Sequence, residues 1–144
     1  MFNRQALTVL AALLITAGLA AAGTILTPPE ALDQAKAGKL TLIDVRTPAE
    51  WRETGVPEGA ATINMMDPKG PDGFADAVLA QVKGDRAAPI ALICRSGNRS
   101  SRMQEALEAR GFTQVANVKE GMSGSAAGPG WLERKLPVTQ CKGC

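Results

Sequence analysis

Short aliphatic runs recur along this chain, and a helical pattern follows each of the first two. "KLTLIDV" spans Lys39 to Val45, "APIALIC" spans Ala88 to Cys94, and "QVANV" spans Gln114 to Val118. A continuous apolar run this short, bounded by turn residues, reads as a strand buried on both faces. Such strands lie side by side in parallel only if a helix carries the chain back each time. The pattern therefore predicts an α/β fold: a central, mainly parallel sheet flanked by helices on both faces. At 144 residues and 45% hydrophobic composition, the chain can build one core. Aromatics make up only 3%, so that core is aliphatic.

The helix starts are written twice in the same words. Thr27-Pro28 with Glu30, and Thr47-Pro48 with Glu50, each offer a capping threonine, a proline in the first turn and a glutamate able to reach back. Gly38 ends the first helix, and the second runs to about Thr54. "GVPEGA" reads as a turn, "ATINMM" as a short strand, and Asp67–Gly73 as a loop. "FADAVLAQV" and Arg99–Arg110 read as helices, the latter stopped by Gly111. Gly121–Gly130 is a flexible loop, and "WLERKL" a last helical turn before Pro137.

Residues 1–22 read differently. One basic residue, an Ala- and Leu-rich stretch and a closing Ala20-Ala21-Ala22 fit a secretory signal peptide cut before Gly23, with an uncleaved membrane anchor as the alternative. The expected organisation is a signal peptide (1–22), one folded domain (23–138) and a C-terminal CxxC tail (139–144). The expected location is periplasmic or secreted, an oxidising setting.

A net charge of +2 gives no reason to expect a nucleic-acid partner, and any membrane contact would run through the leader. No histidine is present, which excludes Cys-His dyads, Ser-His-Asp triads and His-based metal sites. Chemistry must come from elsewhere, and one junction offers it. Cys94 closes a strand, and "RSGNRS" leads from it into a helix. Gly97 and Asn98 tolerate positive φ, so the backbone can curl and turn its N–H groups inward. The helix start adds uncapped donors and the positive end of a dipole. Arg95, Arg99 and Arg102 add charge, and no acid intervenes before Glu105. Such a cup favours a thiolate over a thiol and receives anionic substrates without a base. Cys94 is the candidate nucleophile. Arg95, Ser96, Gly97, Asn98, Arg99 and Ser100 are the candidate anion-binding loop, with Arg95 at its rim. Asp44 and Arg46, at another strand end, are candidate structural support, Arg46 pairing with Glu50 or another carboxylate.

These motifs resemble those of the rhodanese-like sulfurtransferases from about Thr27 to Val138. "LIDVRTPAEW" is similar to the family's Asp-Val-Arg signature, "CRSGNRS" to its active-site loop, and "NVKEGM" and "WLERKLPV" to its closing segments. The resemblance implies a sulfur relay. The cysteine takes a sulfane sulfur from thiosulfate or a similar donor, becomes a persulfide, and passes the sulfur to a thiol or cyanide. It implies no metal and no organic cofactor; the partners are a small sulfur-containing anion and a thiol acceptor. Two departures stand out. Gly55–Ala60 lacks the histidine of the family's Gly-His-Ile-Pro-Gly-Ala, and a Ser/Gly/Ala/Pro loop separates Gly121-Met122 from Trp131, where it would border the site.

Other functions compete. Cysteine-loop phosphatases and arsenate reductases place an arginine six positions after the cysteine, whereas position 100 here is serine. A non-catalytic binding module and a thiol redox protein are further alternatives. The redox reading draws on Cys141 and Cys144 of "CKGC". These two can form a disulfide and leave Cys94 free, resolve a persulfide, accept sulfur from Cys94, or bind a soft metal.

Overall fold

The computed structural model describes residues 23–144. The leader and its cleavage point lie outside the described residues. Among those described, no helix is long and apolar enough to cross a membrane.

The chain runs β1 (Thr24–Leu26), α1 (Pro28–Lys36), β2 (Thr41–Asp44), α2 (Pro48–Thr54), β3 (Val56–Pro57), β4 (Ala61–Thr62), α3 (Gly70–Gln81), β5 (Ile90–Ile93), α4 (Asn98–Glu108), β6 (Val115–Val118), α5 (Gly130–Glu133) and β7 (Val138–Thr139). The first, second, fourth, fifth and sixth strands form one sheet in the order β1-β6-β5-β2-β4. Every pairing within it is parallel. The fold is therefore an α/β fold with one parallel five-stranded sheet.

Strand pleating sorts the core into two layers. Ile43, Val45, Ile90, Leu92 and Cys94 pack with Phe74 and Val78 of α3 and Met103 and Leu107 of α4. Leu42, Ala91, Ile93, Ala116 and Val118 pack on the other face with Ala31 and Leu32 of α1, Met122 and Trp131. Cys94 thus shares the parity of Ile90 and Leu92 and points to the α4 side.

Both Thr-Pro starts form as read. Thr27 caps α1 and Thr47 caps α2, each in a reciprocal capping box with its glutamate. α3 begins at Gly70, inside the stretch read as a loop. Asp67 causes this: its side chain accepts from the Lys69 N–H at 2.7 Å and its carbonyl from the Gly70 N–H at 2.9 Å, winding the chain before Phe74. "GVPEGA" is also more than a turn. Val56 and Pro57 pair antiparallel with Thr139 and Val138. A two-residue strand whose partners lie 81 and 83 positions away has no periodicity to read.

Candidate active site

α4 starts without the device that starts α1 and α2. Its N-cap is Gly97, at φ +87°, and no side chain caps it. Two donors at this start face Cys94 instead. The Gly97 N–H lies 3.1 Å from the Cys94 Sγ, and the Ser100 Oγ 3.2 Å from it. Cys94 is free, and only 1% exposed.

Two glycines let neighbouring segments close on this loop. A side chain at Gly97 would collide with the Lys119 carbonyl, and one at Gly121 (φ +71°) with the Arg95 carbonyl. The strap after β6 then holds the loop by its backbone. Met122 N–H donates to the Cys94 carbonyl and Ser123 N–H to the Arg95 carbonyl, both at 2.9 Å. Beyond it, Glu120 anchors the Ser/Gly/Ala/Pro loop. Its carboxylate accepts from Gly130 N–H at 2.9 Å and from Arg134 at 2.7 Å. The Arg134 guanidinium holds the Glu120 pKa below its usual value. Ser125, Ala126 and Ala127 of that loop line a cavity of about 450 Å³ with Asn98, Ser101 and Lys119.

Asn117 is a site residue that sequence reasoning missed. It is buried on β6, and its Nδ2 donates to the Gly97 carbonyl at 3.1 Å. That bond turns its Oδ1 toward Ser100, 2.7 Å from the hydroxyl. A hydroxyl has one proton to give. Ser100 therefore chooses among the Asn117 oxygen, the Gly97 carbonyl at 3.3 Å and the Cys94 sulfur. Charge-assisted bonds are the stronger, so a negative sulfur draws the proton to itself. The signal was a polar residue in the middle of "QVANV", where a strand buried on both faces has no place for an unpartnered amide.

The arginines divide. Arg46 is 1% exposed and pairs with Asp44, not Glu50: Nε to Oδ1 at 3.0 Å and Nη2 to Oδ2 at 2.8 Å. It also donates to the Thr54 hydroxyl and the Gly55 carbonyl, both at 2.9 Å, which ties β2 to the end of α2. Asp44 and Arg46 share the end of one strand, so the shorter connection wins. Arg99 is neither a solvated helix residue nor a free anion contact. Glu50 binds it with two bonds of 2.6 and 2.8 Å. The sheet sets β2 beside β5, and this brings an acid from α2 to a loop that has none of its own. Arg95 is exposed, and lines a narrow cleft of about 40 Å³ with Arg46, Glu50, Glu53, Thr54 and Ser123. Ser96 is half-buried and Asn98 exposed. Cys141 and Cys144 form a disulfide with Cα atoms 5.7 Å apart.

The Glu50–Arg99 pair yields a pH prediction. Arg99, then the Thr47 backbone N–H, hold the Glu50 carboxyl down at about 2 against an ordinary 4.5. Its contribution to stability is therefore full above pH 4.5 and is lost as pH falls toward 2. The melting temperature of Glu50→Gln should trail the native protein by a constant margin from pH 5 to 8, and the margin should close between about pH 4.5 and 2. A margin that persists at pH 2 contradicts the assignment.

A free cysteine at the uncapped start of a helix, at the end of a central parallel strand, is the arrangement found here. The rhodanese-like domain model matches residues 27–127. The chain belongs to the rhodanese-like family. It is 30% identical over 98 residues to an uncharacterized protein of Rickettsia conorii, covering 67% of this chain and 80% of that one. It is 36% identical over 107 residues to the probable adenylyltransferase/sulfurtransferase MoeZ of Mycobacterium tuberculosis, covering 74% of this rhodanese-like chain but 25% of MoeZ. Among solved structures, the polysulfide-sulfur transferase homodimer of Wolinella succinogenes superposes with a TM-score of 0.63 at 26% identity, covering 87% of this chain and 84% of that one. The family match ends before "CKGC".

Proposed function

We propose that this rhodanese-like protein is a sulfurtransferase that moves a sulfane sulfur from thiosulfate or a similar donor to a thiol or cyanide through a persulfide on Cys94. The observation that carries this is the pair of donors on the sulfur, the Gly97 N–H and the Ser100 hydroxyl, in a helix start that no side chain caps. The Cys94 thiolate attacks the outer sulfur of thiosulfate. A new S–S bond forms, the donor's S–S bond breaks, and sulfite leaves with its electron pair. The persulfide keeps one negative charge, and the same donors that held the thiolate hold it. An acceptor thiolate then attacks the outer sulfur and returns Cys94 to its first state. Exposed Arg95, next to Cys94 in the chain, draws the dianion in.

The same geometry disfavours phosphoryl transfer. That chemistry needs a free cation to spread over three equatorial oxygens. Arg99 is already engaged on both arms by Glu50, and position 100 contributes a hydroxyl. The two relatives whose names include a sulfur transfer support the same reaction class. The test is intact mass after incubation with thiosulfate. The expected result is a gain of one sulfur atom on Cys94 that cyanide removes as thiocyanate. No gain, or a gain that cyanide leaves in place, would overturn the proposal.

A further inference from the structure

The disulfide after β7 does little for the fold. It closes a loop of sequence separation 3, the kind that takes least freedom from the unfolded chain. It staples no two elements, because both cysteines belong to one segment. Neither cysteine packs in either core layer. Both are half-buried, within reach of solvent.

Its placement, by contrast, is specific. β7 pairs with β3, which follows α2 directly, so the segment emerges at the end of α2. Arg52 of α2 donates to the Cys144 main-chain oxygen at 2.6 Å. The next two residues of that helix, Glu53 and Thr54, line the narrow cleft that Arg95 and Ser123 close from the other side. Arg95 follows Cys94 directly. The CxxC pair is thus tethered to the helix that forms one wall of the cleft lined by Arg95, the residue after Cys94. Five peptide units separate Thr139 from Cys144, a reach of at most about 17 Å from the fixed end of β7.

On the reading that Cys94 carries a persulfide, we propose that the reduced Cys141/Cys144 pair is its built-in acceptor, and that the chain thereby couples sulfane-sulfur transfer to dithiol oxidation and releases sulfide. The Cys94 persulfide takes up one proton from water, and the Cys144 thiolate, in a spacing that favours thiolates, attacks its outer sulfur. The bond from the Cys94 Sγ to that sulfur breaks, Cys94 leaves as thiolate, and Cys144 becomes the persulfide. The Cys141 thiolate then attacks the Cys144 Sγ. The Cys141–Cys144 disulfide forms and HS⁻ departs. The two cysteine sulfurs together lose two electrons and the sulfane sulfur gains them. An external dithiol reductant resets the pair by thiol–disulfide exchange.

The test uses the full chain, reduced with a dithiol and freed of it, then given one equivalent of thiosulfate. The native protein should release about one sulfide per chain, with loss of both Cys141 and Cys144 thiols, and the release that follows Cys94 loading should proceed at a rate independent of protein concentration. Cys141→Ser should release at least tenfold less sulfide and trap the extra sulfur on Cys144, located by peptide mass. Thiocyanate formed on adding cyanide reports separately whether Cys94 loads. Sulfur that stays on Cys94 of the reduced native chain, while cyanide still strips it, overturns this proposal and leaves the sulfurtransferase reading intact. A rate proportional to protein concentration also overturns it, because the acceptor would then be another copy. Absence of both thiocyanate and sulfide overturns both readings.

Discussion

Cys94→Ser should abolish sulfur loading and reduce thiosulfate-dependent thiocyanate formation at least about a thousandfold. Gly97 N–H and the Ser100 hydroxyl donate to the sulfur and do not themselves remove its proton. A serine hydroxyl at position 94 stays protonated near neutrality, and no histidine exists in the chain to act as its base. Hydrogen-bond donors therefore cannot rescue it, whereas in a histidine-assisted site they would preserve some nucleophilicity. The substitution is nearly isosteric in a buried position, so the fold should survive, and circular dichroism checks this. Activity within tenfold of the native protein would mean that another group attacks the donor. Ser100→Ala gives the useful contrast. It removes one donor of the two, so a partial loss is expected where Cys94→Ser gives a complete one.

How much of this was legible beforehand follows from the range over which each interaction acts. The two Thr-Pro-x-Glu starts are local: all the groups they join lie within four residues, and both formed as read. The strand parity that aims Cys94 at α4 is equally local, and so is the glycine at the N-cap. The wall of the site is different in kind. Glu50 reaches Arg99 across 49 positions, and Asn117 reaches Gly97 across 20. Those contacts exist only because β2, β5 and β6 are neighbours in the sheet. A reading along the chain sees the arginines without the acid that restrains one of them. It leaves open whether Arg46 pairs with Glu50 or another carboxylate, and the carboxylate two positions back, on the same strand end, is the one that binds it.

That last pair gives the largest expected loss of stability. Asp44 is fully buried and Arg46 is 1% exposed. Asp44→Ala would leave a guanidinium inside the protein with no counter-charge, and breaking a buried pair from one side costs about 3–5 kcal/mol. For a domain of this size that corresponds to a fall in melting temperature of roughly 10–20 °C. The cost lies in the stranded charge rather than in the lost attraction, and a double variant separates the two. Asp44→Leu/Arg46→Met removes both ions and keeps apolar volume, so it should melt above Asp44→Ala. It still forfeits the bonds of Arg46 to Thr54 and Gly55, and so should remain below the native protein. Those bonds hold the end of α2, which sets Glu50 against Arg99 and flanks the cleft beside Cys94. Sulfur loading in the double variant should therefore slow even at temperatures where it is fully folded. A double variant less stable than Asp44→Ala would mean that the pair contributes net attraction beyond its desolvation cost, and that Arg46 is more than a brace for the helix.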